Sequence, residues 1–351
     1  MKIFTYFIEP ACYTIDLINN IYEPLKIKYC FIKSYTEVKT KNKILNVVTL
    51  SDLSAFKKIF YIWKVRRENQ FIIVNAYNTI PFVLTLLFNF FSVKKVYIAI
   101  ESDTQLNIPK NILKRVLKKT ILSFIFRNRF VVGFSGGNYS HKDFFRNYKM
   151  KEDRIFLMPM MVDNQKFYSS KKHKKSFVFL FVGRLIKRKN IESLILQFNK
   201  YFTDKNVTLR IVGGGDLESV LKKKYNTANV NFIGRKYDND LIEEFKNASV
   251  FICPSLFEPW GLVVNEALAA GIPVIAHKNV GASSDLIKNK KTGFIVNSND
   301  EIGEKMEELF FNKELRHTFA TNANKLMKDE WNYDLYKRCI LKAIKKIEKW
   351  D

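Results

Sequence analysis

The sequence predicts an α/β protein of two doubly wound domains, each a parallel sheet covered by helices on both faces. Three observations carry that expectation. Short, near-continuous apolar runs rich in Val, Ile and Phe alternate with longer amphipathic stretches along most of the chain, the pattern of strands buried on both faces and joined by crossover helices. The alternation breaks once, in the polar and basic stretch NQKFYSSKKHKKS at 164–176, and then restarts. A length of 351 residues is long for one domain and gives each of two domains enough chain for its own core.

The first half offers strands at 2–8, 28–32, 46–50, 71–76, 95–100, 130–135 and 154–159, with helices at 52–67, 79–91, 110–126 and 138–147. The second offers strands at 176–182, 207–212, 229–234, 249–254, 273–276 and 293–296. Its helices fall near 189–202, 215–226, 238–246 and 260–270, followed by three more at 300–312, 314–328 and 333–348. The expected organisation is a first domain over 1–165, a linker at 166–176 and a second domain over 177–330. A C-terminal helix within 331–351 is expected to pack back on the first domain. Doubly wound folds bind ligands at the C-terminal ends of their strands, so functional residues are sought there.

Composition narrows the partners. Lys and Arg number 59 against 34 Asp and Glu, a net charge of +25, with 47% hydrophobic residues. That excludes wholesale disorder and gives the surface a positive field suited to phosphates, nucleic acid or anionic lipid. The four cysteines, Cys12, Cys30, Cys253 and Cys339, are too scattered for a zinc site or a disulfide framework, which points to a reducing cytoplasm. The opening MKIFTYFIEP reads as a first buried strand rather than a leader. Pro81–Val93 is too short to span a bilayer, which needs about 20 apolar residues.

The stretch PSLFEPWGLVVNEALAAG at 254–271 carries most of the chemistry. A buried strand ends at Cys253-Pro254, a loop carries Glu258, and a helix opening near Trp260-Gly261 carries Glu266. Gly261 lets a ligand approach the backbone, and the N–H groups of the first turn favour anionic or hydroxyl-rich ligands. Glu266 lies roughly 8 Å along the axis from Gly261 at ~1.5 Å per residue, so the two acids can contact different parts of one elongated ligand. Without that setting they would read as an N-terminal helix acid and a solvated helix residue.

Other strand ends add cations and glycines. Gly183-Arg184 follows a strand, with Lys187, Arg188 and Lys189 opening the next helix, a clamp suited to a departing diphosphate. Gly213-Gly214-Gly215 makes a tight strand-to-helix turn. A dinucleotide fingerprint would need Gly at 218, which is Glu. Asp238-Asn239-Asp240 is a D-x-D, a spacing that can hold a divalent cation. Here it opens a helix and is expected to act as an N-cap.

Together these motifs resemble family 4 glycosyltransferases, retaining enzymes of the GT-B fold: two Rossmann-like domains facing each other across a cleft. Glu258 to Glu266 forms the E-x7-E arrangement within PSLFEPWGLVVNEALAAGIPVIA. FVGRLIKRKN (181–190) resembles the segment supplying an Arg and a Lys to the donor diphosphate. LRIVGGGD (209–216) resembles the glycine turn, and VNFIGRKYDNDLIEEFKNASVFICPS (230–255) the stretch reaching the nucleotide base. Asp285 stands where a Glu is usual. The resemblance implies that Arg184, Lys189 and Glu258 are catalytic. It also implies that Gly183, Gly213, Gly214, Arg235, Pro259, Trp260, Gly261, Leu262 and Glu266 bind a nucleotide-sugar donor. Glu266 would meet the ribose and Glu258 the transferred sugar, and with the cations no metal or other cofactor is needed.

In such folds the first domain takes the acceptor. The usual glycine turn after the first strand is replaced by Glu9-Pro10-Ala11, and the His often found after a later strand by Glu101-Ser102-Asp103. His141, His173, His277 and His317 lie elsewhere. Glu9, Glu101, Asp103 and Ser135 are the acceptor-side candidates. In 110–126 the apolar Ile112, Leu113, Val116, Leu117, Ile121 and Ile125 are read as one broad face, with Lys114, Arg115, Lys118 and Lys119 on the other. The lack of acids there, with Lys57-Lys58 and Lys64–Arg67 around IFYIW, points to an anionic membrane surface.

The expected activity is retaining transfer of a hexose-type sugar to a lipid-linked or other glycan acceptor of a surface polysaccharide, O-antigen or capsule. The protein is expected in the cytoplasm, at the inner face of the membrane. Two alternatives stay open: another GT-B enzyme such as a nucleotide-sugar 2-epimerase, or a basic nucleic-acid-binding protein. The basic runs match no nucleic-acid motif, and nucleic acid is not expected as a partner.

Overall fold

The computed structural model describes residues 1–34, 47–168, 176–203 and 206–350. They form two compact units, one of Met1–Met161 with the C-terminal segment from Tyr333, the other of Val162–Asn332. Most of the expected linker at 166–176 lies outside the described residues.

The first unit holds a six-stranded sheet of order β2-β1-β3-β4-β5-β6, parallel throughout. Its strands are β1 (Ile3–Phe7), β2 (Lys28–Phe31), β3 (Phe71–Asn75), β4 (Tyr97–Ser102), β5 (Val131–Ser135) and β6 (Ile155–Leu157). Among the described residues five helices intervene: α1 (Cys12–Leu17), α2 (Ala55–Glu68), α3 (Ile80–Phe91), α4 (Ile112–Arg127) and α5 (Ser140–Asn147). Because β3, β4 and β5 advance in one direction along the sheet, right-handed crossovers put α3 and α4 on the same face. The central strands are buried along nearly their whole length, with Ile72, Val74, Ile98 and Ile100 at 0% exposure. Each such side chain contributes roughly 1.5–3 kcal/mol of transfer free energy, which is why the apolar runs located these strands.

Two expectations need correction here. No strand forms at 46–50: residue 46 lies outside the described residues, Thr49 makes a single bridge to Phe31, and Leu50–Asp52 turn into a short 3-10 helix. A helix not anticipated occupies Cys12–Leu17 and continues as a π-turn over Ile18–Tyr22. On α4, the broad apolar face read from the sequence is turned to solvent. Leu122 and Phe126 are the buried residues, while Ile112, Leu113, Val116, Leu117 and Ile121 are exposed.

The second unit repeats the plan in the order β12-β11-β10-β7-β8-β9. Its strands are β7 (Phe177–Val182), β8 (Val207–Val212), β9 (Val230–Gly234), β10 (Val250–Cys253), β11 (Val274–His277) and β12 (Gly293–Val296), again all parallel. The helices are α6 (Asn164–Phe167), α7 (Ile191–Phe202), α8 (Glu218–Tyr225), α9 (Asp238–Asn247), α10 (Leu262–Ala269), α11 (Ser283–Leu286), α12 (Asn299–Phe311) and α13 (Lys313–Lys325). Their core gathers Phe179, Ile195, Phe198, Leu209, Ile252 and Met306.

The final helix, Tyr333–Glu348, belongs to the first unit. Trp350 places its ring 5.8 Å from Tyr97 and 6.3 Å from Phe156.

Candidate active site

In the second unit the C-terminal ends of β7, β8 and β10 bring the expected residues together. After β7, Gly183 donates its N–H to the Val212 carbonyl at 2.9 Å, tying this turn to β8. Gly213 lies so close that a Cβ built there would stand 1.9 Å from the Gly183 carbonyl oxygen, at φ +139. Only glycine fits. Arg235, at the end of β9, lays its side chain over Gly214, where an added Cβ would come within 2.9 Å of its Nε.

The basic run does not open α7 directly. Lys187–Lys189 form a 3-10 turn, Asn190 reverses the chain at φ 58, and α7 starts at Ile191. Asn190 donates from Nδ2 to the Pro254 carbonyl at 3.2 Å, and the Leu256 N–H donates to the Arg188 carbonyl at 2.9 Å. The basic turn and the Glu258 loop are therefore one hydrogen-bonded assembly. Within it the Lys189 ammonium pairs with Glu258 Oε2. The Arg188 guanidinium donates to the Phe257 carbonyl at 2.9 Å and to Glu258 Oε2 at 3.3 Å. Lys189 and Glu258 are both largely buried, their side chains 9% and 13% exposed. Such a pair offsets its desolvation only while both partners stay, and losing one typically costs 3–5 kcal/mol. Arg188 is the contact that motif reading passed over: the sequence places it in the basic run but does not show which cation turns toward Glu258. Arg184 is exposed.

The Glu258 strand-like segment bridges Val280, its N–H donating to the Asn279 carbonyl at 3.2 Å while its carbonyl accepts from Gly281 at 3.0 Å. Gly261 sits at φ 96, and a Cβ there would press within 3.2 Å of the Glu258 Cγ. Pro259 and Leu262 are half-buried, on either side of Trp260-Gly261. The Trp260 side chain turns inward, stacks on Trp331 with ring centroids 5.6 Å apart, and donates from Nε1 to Asn265 at 2.8 Å. No face of its ring is left for a ligand, and its carbonyl accepts from the Ala282 N–H at 2.9 Å. Glu266, one turn into α10, keeps Oε2 buried without a hydrogen-bond partner, and burial pushes its pKa up to about 7. An orphaned buried carboxylate oxygen of this kind is open to a hydrogen bond from a bound water or ligand.

Asp238 and Asp240 do not cap α9. The cap position is Tyr237, both acids lie in the first turn, and Lys236 pairs with Asp240 at 3.6 Å. No cluster of three or more His, Cys, Asp or Glu suited to a metal occurs among the described residues. His277 is buried at the end of β11, its Nδ1 accepting from the Asn279 N–H at 3.2 Å. His173 lies outside the described residues.

In the first unit, Glu9, Glu101 and Asp103 line one cavity of about 220 Å³ at the C-terminal ends of β1, β3 and β4, with Tyr13, Asn75 and Thr104. Glu101 is buried, accepting from Asn75 Nδ2 at 3.1 Å and from the Tyr336 hydroxyl at 3.1 Å. Burial outweighs these donors and lifts its pKa to about 7. The cavity also holds Ala76 at φ 72, a strained angle for a side chain, fixed by its N–H donating to the Glu101 carbonyl at 2.9 Å. Ser135 is not brought in; its buried hydroxyl donates to the Gly137 carbonyl.

Residues 162–326 match the family model of glycosyl transferases group 1. The chain is similar to a capsular polysaccharide biosynthesis glycosyltransferase, CapM, of Staphylococcus aureus, at 35% identity over 49% of this chain and 47% of that protein. It is also similar to the UDP-Gal:alpha-D-GlcNAc-diphosphoundecaprenol alpha-1,3-galactosyltransferase of Escherichia coli, at 35% identity over 36% of this chain and 34% of that one. It thus spans half or less of the length of these curated relatives. Among solved structures, Anabaena Alr3699/HepE in complex with UDP superposes with a TM-score of 0.77 at 16% identity, covering 98% of this chain and 100% of that one. That likeness shows the fold.

Proposed function

We propose, from the premise that this chain is a group 1 glycosyl transferase with the GT-B fold, that it moves a hexose-type sugar from a nucleotide-sugar donor to a glycan or lipid-linked acceptor with retention of anomeric configuration. The observation carrying the reading is the Glu258 carboxylate, held by Lys189 and Arg188 beside the Gly261 turn, with the unsatisfied Glu266 carboxylate one turn deeper. Cations beside strand ends suit a diphosphate, and two acids at different depths suit a sugar and a ribose.

In this reading Arg184 and Lys189 stabilise the charge that develops on the leaving diphosphate. The bond from the anomeric carbon to the phosphate oxygen breaks, and the acceptor oxygen bonds to the same carbon from the same face. The acceptor proton passes to the departing phosphate oxygen, so no further base and no metal takes part. Glu258 contacts the transferred sugar, Glu266 the ribose, and the backbone of Trp260–Leu262 the donor. The cavity of Glu9, Glu101 and Asp103 takes the acceptor.

No helix among the described residues is long and apolar enough to cross a membrane. The reading places the protein in the cytoplasm, peripherally on an anionic membrane face through Lys114, Arg115, Lys118, Lys119 and the basic segment 57–67. Relatives named for capsule and diphosphoundecaprenol chemistry support a surface-glycan role.

A thermal-shift screen of UDP-, GDP-, dTDP- and ADP-sugars, followed by NMR of the product's anomeric proton, tests the proposal. One donor class should stabilise the protein and yield the retained anomer; an inverted product, or no response to any donor, refutes it.

A further inference from the structure

Helices α3 and α4 of the first unit turn apolar side chains to solvent. Val83, Leu87 and Phe90 on α3 and Leu113, Leu117 and Phe124 on α4 are all about half exposed or more, Leu113 and Phe124 reaching 80% and 78%. Monomeric soluble proteins keep contiguous exposed apolar patches small, and larger ones mark interaction sites. Between the two helices runs a groove of about 490 Å³, with Phe82, Leu86, Leu122 and Ile125 among its lining and Val83 and Leu117 at its exposed margin.

The charges along this groove have one sign. Lys114 and Lys118 line it, and no acid does. Neither α3 nor α4 contains an Asp or Glu. The Lys118 ammonium lies over the rings of Phe144 and Tyr148, 5.7 and 5.6 Å from their centroids, with no carboxylate paired to it among the described residues. An apolar slot with cations and no counter-charge complements a molecule that is hydrocarbon at one end and anionic at the other. A polypeptide occupant would bring backbone groups needing hydrogen-bond partners, and apart from Tyr77 and Asn78 the lining is apolar or cationic. A hydrocarbon chain has no such need.

We propose that this groove binds one hydrocarbon chain of an anionic phospholipid, with the phosphate on Lys114 and Lys118. The exposed apolar rows on either side then enter the lipid interface. The inference rests on the membrane-facing reading given above and adds the partner's chemistry and place.

The test titrates the full chain with dihexanoylphosphatidylglycerol below its micelle concentration, and separately with dihexanoylphosphatidylcholine and inorganic phosphate. Calorimetry should give saturable binding of the phosphatidylglycerol, weaker binding of the phosphatidylcholine and none of phosphate alone. Val83→Asp and Leu117→Asp, both at positions more than half exposed and so expected to fold, should each abolish it. The double variant Lys114→Gln/Lys118→Gln should weaken it about tenfold or more. Phosphatidylglycerol binding that does not saturate, that survives both aspartates, or that inorganic phosphate matches overturns the proposal. Transfer to a water-soluble acceptor separates the two readings. Lost lipid binding with transfer intact, in wild type, sinks the groove alone; saturable lipid binding without transfer sinks the transferase reading and leaves the groove standing.

Discussion

The Tyr336 hydroxyl donates a hydrogen bond to Glu101 Oε1 at 3.1 Å, joining the last helix of the chain to the end of a central strand in the first unit. The same hydroxyl lies 3.1 Å from that of Tyr22, and both tyrosines are buried. Three segments far apart in sequence thus meet behind Glu101, itself one of the residues lining the acid-lined cavity.

This relationship sets a pH dependence. Burial raises the Glu101 pKa from its ordinary value to about 7, so between roughly pH 4.5 and 7 the folded state binds a proton that the unfolded chain has released. Stability from this group is therefore present at low pH and lost as the pH rises through about 7. Glu101→Gln should flatten that part of the profile by up to about 3 kcal/mol, read by denaturant unfolding at pH 5 and pH 8. Tyr336→Phe should lower stability by about 1–2 kcal/mol and move the Glu101 titration higher, since the hydroxyl favours the charged form. A profile unchanged in both variants would show that Glu101 is ionised throughout.

A steric prediction concerns the second unit. Gly213→Ala would drive a methyl group to 1.9 Å from the Gly183 carbonyl oxygen at a φ that side chains avoid. The β7 and β8 turns must then separate, and a loss above about 4 kcal/mol is expected. Gly234, where nothing lies within 4 Å of an added Cβ, is the control. It should lose only the strain of its φ of 79, about 1–2 kcal/mol. Equal melting temperatures for the two alanine variants would contradict the close approach.

How much of this was legible in the sequence depends on the range of the interactions. The strands of both sheets stood out because burial on both faces makes them continuous apolar runs, so 207–212 and 293–296 match their observed limits. The gathering of Gly183, Gly213, Lys189 and Glu258 at strand ends was legible because they follow those strands in fixed local motifs. Residues 12–22 were missed, since a helix that passes into a π-turn has no single 3.6-residue period. On α4 periodicity states that an apolar face exists, and tertiary contacts decide that Leu122 and Phe126 are the residues buried. Tyr336 left no local signal at all, lying 235 residues from Glu101. Acidity after the strand was readable; its partner was not.

Glu258 and Glu266, the two acids proposed to meet the donor, should separate by pH and by ligand. Glu266 has a buried, unpartnered Oε2 and a pKa raised to about 7 by burial, so its ionised form fades below that pH. Glu266→Gln should weaken nucleoside diphosphate binding about tenfold at pH 8, and the gap from wild type should shrink by pH 6, both by calorimetry. Glu258→Gln should spare product binding and depress transfer. The opposite pattern would mean that the two roles are exchanged.

Arg184 and Lys189 should differ in stability even where they agree in activity. Arg184 is exposed, so Arg184→Ala should leave the melting temperature within about 2 °C. Lys189 is largely buried against Glu258. Lys189→Ala leaves that carboxylate to Arg188 alone, whose guanidinium is 3.3 Å away and divided with the Phe257 carbonyl. A loss of about 2–4 kcal/mol is expected, below the full cost of an unpaired buried charge because Arg188 remains. If both cations stabilise the leaving diphosphate, each alanine should lower kcat about 10²–10³-fold. The double variant Lys189→Ala/Glu258→Gln, which removes the stranded charge, should recover stability without recovering turnover. Recovery of both would assign Lys189 a purely structural part, and unchanged kcat in Arg184→Ala would remove Arg184 from the reaction.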